Sequence, residues 1–218
     1  MTVRVNFSSI GMLAFSALAL LVFAQEFKAF DQTHLSSLAA PRANLTNVRP
    51  LSLSGYQDAL LGCDAAMSGP VAVLQTRTTR QNTARTCAAL ADRALRQMPT
   101  HGTASLVAAR AALQRGERGA AATYLARSAQ YAGFEGWLAE RRFAIVMNQP
   151  PGDDFAVSAT LQSDIATLLT TQSGAGLVAL YFVRRPAGRA TITAVASRAN
   201  IADQTRLTNI LSRLQATR

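Results

Sequence analysis

The sequence predicts an all-α fold, and three observations carry that expectation. Alanine and leucine dominate the apolar residues, and both are strong helix formers. Runs of β-branched residues are few. Apolar residues recur at three- and four-residue spacing, broken by Gly and Pro punctuation. At 218 residues the chain has room for one domain of ordinary size plus appendages. The expected arrangement is a set of antiparallel helical hairpins ending in a C-terminal helical bundle. One N-terminal hydrophobic helix precedes them.

The first element is the uncharged run from Phe7 to Ala24, which follows Arg4. Two fates fit it. A membrane span needs roughly 17–25 apolar residues, and a signal peptide needs a shorter apolar core before small residues, as at Val22-Phe23-Ala24. Residues 1–24 are therefore expected to be a signal anchor or a signal peptide. As an anchor, residues 7–24 would make a single pass through the inner membrane, with the N-terminus cytoplasmic and the body periplasmic. Cleavage after Ala24 would instead leave a periplasmic protein. Residues 25–55 read as a spacer, interrupted by Pro41 and Pro50. Phe27, Phe30 and Leu35 suit a short interfacial helix there, and Asn44-Leu45-Thr46 matches a glycosylation sequon.

The helical domain is expected over residues 56–218. A short helix from Tyr56 ends at Gly69-Pro70, and the following VAVLQTRTT is ambiguous. In the next helix Cys87, Leu90, Ala91, Ala94, Leu95 and Met98 form one stripe, with Arg85, Arg93 and Arg96 off it. Thr103 is the expected N-cap of the helix that Gly116 closes. The short link to ERGAAATYLARSAQYAG makes those two helices antiparallel neighbours. A helix with the only tryptophan, Trp137, runs to the stop at Pro150-Pro151-Gly152, and Asp153 or Asp154 is expected to cap its successor. Three last segments offer Leu177, Leu180, Tyr181, Ile192, Val195, Ile201, Leu207, Ile210, Leu211 and Leu214 to a shared core.

Cys63 and Cys87 are the only cysteines, on either side of the Gly69-Pro70 break. An exported compartment permits a disulfide between them, and two buried free thiols are the alternative. With His34 and His101 as the only histidines, four converging metal ligands are not available without carboxylates. No ligand spacing, P-loop, dinucleotide fingerprint or nucleophile–base pair is visible. No cofactor and no nucleic-acid partner are expected, and the chain is read as non-catalytic.

The formal net charge is +10, almost all from arginine. Residues 77–142 hold eleven Arg against Asp92, Glu117, Glu135 and Glu140. Arg110, Arg115, Arg118 and Arg127 form a candidate anion-binding set for phosphate, an anionic polysaccharide or a lipid headgroup. Exposed arginines flanking helix ends are the plain alternative. Phe134, Trp137, Arg141 and Arg142, with Tyr124 and Tyr131 on the adjoining helix, form a candidate partner-binding patch, because Trp and Arg are over-represented among residues that carry binding energy. A Trp137 plugged into a helical seam is the alternative.

Two resemblances follow from these residues. Ala109, Gly116, Ala121, Leu125 and Ser128 stand where a tetratricopeptide repeat has its small residues, turn glycine and following pair. Cys87, Ala91, Ala94 and Pro99 repeat the frame thirty-four residues earlier. Residues 102–133 thus resemble one such repeat, although that family's first-helix Trp, Leu-Gly and Tyr are missing. The segment YAGFEGWLAERR and the general layout resemble small envelope proteins of alphaproteobacteria associated with surface polysaccharide production. These likenesses imply a short repeat array that holds another protein of an envelope assembly, including polysaccharide export. Two other functions remain open: a direct binder of an anionic glycan or lipid headgroup, and an accessory subunit of a membrane complex held through residues 7–24.

Overall fold

The computed structural model describes residues 15–24, 50, 52–68, 70–149 and 159–216. Every regular element among them is helical, so the all-α expectation holds. Residues 15–24 form α1. Then come α2 (Leu53–Ser68), α3 (Pro70–Leu74), α4 (Arg77–Gln97), α5 (Gly102–Arg115), α6 (Arg118–Ala132) and α7 (Gly136–Met147). They are followed by α8 (Ala159–Leu169), α9 (Gln172–Arg184), a 3-10 turn (Pro186–Gly188), α10 (Arg189–Ala196) and α11 (Ile201–Ala216). The chain divides into two compact units, Met1–Leu90 and Ala91–Arg218, with the boundary inside α4.

The expected membrane attachment is overturned. Among the described residues no helix is long and apolar enough to cross a membrane. The longest helix, α4, has 21 residues but carries five arginines. The signal anchor, the transmembrane pass, the inner-membrane topology and attachment through residues 7–24 are corrected accordingly. The spacer's Phe27, Phe30, His34, Leu35 and sequon, and the expected caps Asp153 and Asp154, lie outside the described residues.

In the first unit, Ser52 starts α2 by accepting a hydrogen bond from the Gly55 N–H at 3.0 Å. Tyr56, Ala59, Leu60, Cys63 and Met67 then bury one face at helical spacing. Thr76 caps α4 in the same way through Thr79 N–H, at 3.2 Å. Helix α4 therefore begins well before the stripe seen in the sequence, and Pro70–Leu74 forms the short α3. The Cys63–Cys87 disulfide joins α2 to α4, with Cα atoms 5.6 Å apart.

In the second unit, α5 and α6 form the expected hairpin. Gly116 takes φ +83°, which suits glycine, and its N–H donates to Leu113 O while Glu117 N–H reaches Ala112 O. The N-cap of α5 is His101, whose Nδ1 accepts from Ala104 N–H at 3.3 Å. Thr103, expected in that role, is buried inside the first turn. Thr171 caps α9 through Gly174 N–H, and Asn200 caps α11 through Asp203 N–H. Leu106, Leu125, Leu138, Phe143, Ile165, Leu168, Val178, Ile192 and Leu207 make one core from α5 to α11. Phe143 meets Tyr181 edge to face at 5.1 Å. Ile201, expected in this core, is exposed instead.

Candidate functional site

The corner between α6 and α7 sets the candidate partner-binding residues. Tyr131 lies in the last turn of α6, Phe134 in the connection, and Trp137 in the first turn of α7. Leu138, Ala139 and Phe143 turn inward on α7 and fix the helix by burial, which leaves Trp137 exposed and Glu140, Arg141 and Ala144 half-buried on the opposite arc. Phe134 is fully exposed at 101%, Tyr131 is 45% exposed and Trp137 36%. Trp137 is therefore not a buried seam plug.

The indole is held from two sides. Its Nε1 donates to Glu135 Oε2 at 3.1 Å. The Arg141 guanidinium lies over the ring, with Cζ 5.9 Å from its centroid, within the range of a cation–π contact. Three aromatic side chains, one charged neighbour on the ring face and one carboxylate at its edge thus share one corner. Scattered exposed apolar residues need no explanation, but a cluster of large aromatics is the composition that carries binding energy at protein interfaces.

Two expected members of the patch do not belong to it. Tyr124 is half-buried against the core. Arg142 is wholly buried and forms an ion pair with Asp164 on α8. Its Nε donates to Asp164 Oδ1 and Oδ2 at 3.0 and 3.1 Å, and its Nη2 to Oδ1 at 2.6 Å. Nη1 reaches Ser128 Oγ at 3.2 Å, and both terminal nitrogens approach Ala132 O at 3.4 Å. Burial pushes the Asp164 carboxyl above its ordinary value, against the opposing pull of the Arg142 hydrogen bonds and charge.

In the second basic set, two arginines are engaged by the protein's own acceptors. Arg115 grips Glu117 through two hydrogen bonds, of 2.8 and 2.7 Å, which hold the Glu117 carboxyl down and the Arg115 guanidinium up. Arg127 turns Nε and Nη2 onto Pro99 O at 3.1 and 2.7 Å, joining α6 to the turn before α5. Arg110 sits half-buried on α5, and Arg118 is exposed at the start of α6. The Arg115 and Arg127 guanidinium groups are thus committed to the protein's own acceptors.

Among the described residues no group of three or more His, Cys, Asp or Glu is placed to hold a metal ion. The sequence reading missed three residues that matter here: His101 as a cap, Glu135 as the indole's acceptor, and Asp164 as the partner of Arg142. Asp164 did leave a signal, since it shares the stripe of Leu161, Ile165 and Leu168 where a charge is out of place. No protein-family model, curated protein or solved structure matches the chain.

Proposed function

We propose that this protein is a non-catalytic interaction module. It holds another protein chain on the corner formed by Tyr131, Phe134, Trp137 and Arg141. The observation that carries this reading is the full exposure of Phe134 between two other solvent-facing aromatics. An isolated helical domain gains nothing from displaying that ring to water, whereas a partner covering it would gain roughly 1.5–3 kcal/mol from its burial.

The α5–α6 hairpin supports a tetratricopeptide-like reading of the scaffold. Ala109 and Ala121 are fully buried, and Leu125 and Ser128 follow them into the interior. The frame before it departs from that pattern, because the five-residue α3 stands where its first helix would begin. The Cys63–Cys87 bridge supports a working place in an oxidising compartment.

Photo-crosslinking from a reactive side chain placed at position 134 identifies the partner, and titration then measures its affinity. Phe134→Ala is expected to weaken binding by about 2 kcal/mol, roughly thirty-fold, with no change in melting temperature. Binding is expected to persist at high salt, because it rests on apolar contact, whereas binding through arginines would collapse under screening. Unchanged affinity in Phe134→Ala, with crosslinks elsewhere on the surface, would sink the reading.

A further inference from the structure

The N-terminus of α5 presses on the α6–α7 corner. A Cβ on Gly102 would run into the Cβ of Ala132 and lie 3.3 Å from Leu138 Cδ1. That close fit brings the half-buried His101 to the same corner, where the Glu135 carboxylate acts on its imidazole. Glu135 is also the acceptor of the Trp137 indole. One carboxylate thus acts on a titratable ring and also accepts the hydrogen bond of the Trp137 indole.

His101 caps α5 through Nδ1. An imidazole nitrogen accepts a hydrogen bond only while it carries no proton, so the cap requires this nitrogen bare. Arg127 on α6 is tied to Pro99 O, two residues before His101 in the chain. Glu135 is the group that draws a proton toward the ring.

Resting on the reading of Tyr131, Phe134 and Trp137 as the contact surface, we propose that His101 is an acid-responsive latch on it. When Nδ1 takes a proton, the cap on Ala104 N–H is lost. The imidazolium then competes with the indole for the Glu135 carboxylate, and the Trp137 ring is released. Burial holds the imidazole below its ordinary value of 6.5, with Glu135 opposing. The latch is closed at neutral pH and opens as the medium acidifies below that value.

Trp137 is the chain's single tryptophan, so intrinsic fluorescence reports on this ring alone. In the full oxidised chain, with no partner present, lowering the pH from 8 is expected to give a reversible red shift of emission with its midpoint below 6.5. His101→Asn caps the helix without titrating, and should abolish the transition; circular dichroism at neutral pH checks its fold. Glu135→Gln keeps an acceptor for the indole but removes the charge, and should lose most of the amplitude. A flat wild-type titration, or the same transition in both variants, overturns the latch. The two ideas fail separately: a flat titration with Phe134-dependent binding sinks the latch alone, and an intact transition with binding indifferent to Phe134 sinks the contact surface.

Discussion

Arg142 and Asp164 place a full ion pair inside the core, 0% and 1% exposed. Taking two charges out of water is costly, and the attraction between them need not repay it. The direction of the Asp164 shift says the same, since burial outweighs its partner's pull. A carboxyl that titrates higher in the folded chain than in the unfolded one takes its proton more readily when folded. Its contribution is therefore largest in acid and is lost as pH rises through the folded value. Asp164→Leu or Arg142→Met alone is expected to lose about 3–5 kcal/mol, because each strands the other group. The double change Arg142→Met with Asp164→Leu should restore at least wild-type stability, as chemical denaturation would show. A double variant as weak as the singles would contradict this account. Asp164 stands out as a charge on an apolar stripe, whereas nothing in the pattern sets Arg142 apart from its neighbour. Its neighbour Arg141 does face the aromatic corner, yet adjacent residues on a helix point about 100° apart, so the two arginines had to part company.

The helices themselves were more legible than their ends. The α5–α6 hairpin could be read because Gly116 falls between two alanine-rich segments, and only a left-handed residue closes that turn so tightly. Caps were harder to read. Histidine is a rare N-cap, and nothing in the local pattern ranks His101 above Thr103. The start of α4 was obscured by Thr78 and Thr79, whose weak propensity is overridden once Thr76 caps the helix and the buried stripe holds it. The apolar run before residue 25 suits either a span or a signal peptide by its composition, and composition does not fix the length of a helix. Two glycines give a contrast at this scale. Gly116→Ala forces a side chain into φ +83° with nothing within 4 Å to hit, so it should lose about 1–2 kcal/mol from backbone strain alone. Gly102→Ala has an ordinary backbone but collides with Ala132, and should lose about 1–3 kcal/mol through overpacking. Shrinking the neighbour with Ala132→Gly should rescue Gly102→Ala and leave Gly116→Ala unaffected; thermal melts of the pairs decide it.

For the molecule as a whole, the +10 charge is mostly arginine, and arginine here serves several ends: a core ion pair, a tie to Pro99, a clasp on Glu117 and a lid on the Trp137 ring. A count of basic residues therefore overstates the surface open to anions. The covalent link is the other molecule-wide term. The Cys63–Cys87 bridge closes 24 residues of chain, and in the chain-entropy model such a loop is worth about 3 kcal/mol. Mild reductant should lower the melting temperature, and Cys63→Ser with Cys87→Ser should melt alike with or without it. A reduced protein as stable as the oxidised one would show that the bridge constrains little.

That bridge also leaves the chain without a reactive sulfhydryl, since it consumes both cysteines. A cysteine introduced at one exposed position would be the sole target for a maleimide dye or spin label under non-reducing conditions. The wild-type background is already silent to thiol chemistry, so site-by-site mapping of what touches the molecule can begin without first stripping it of its own sulfur.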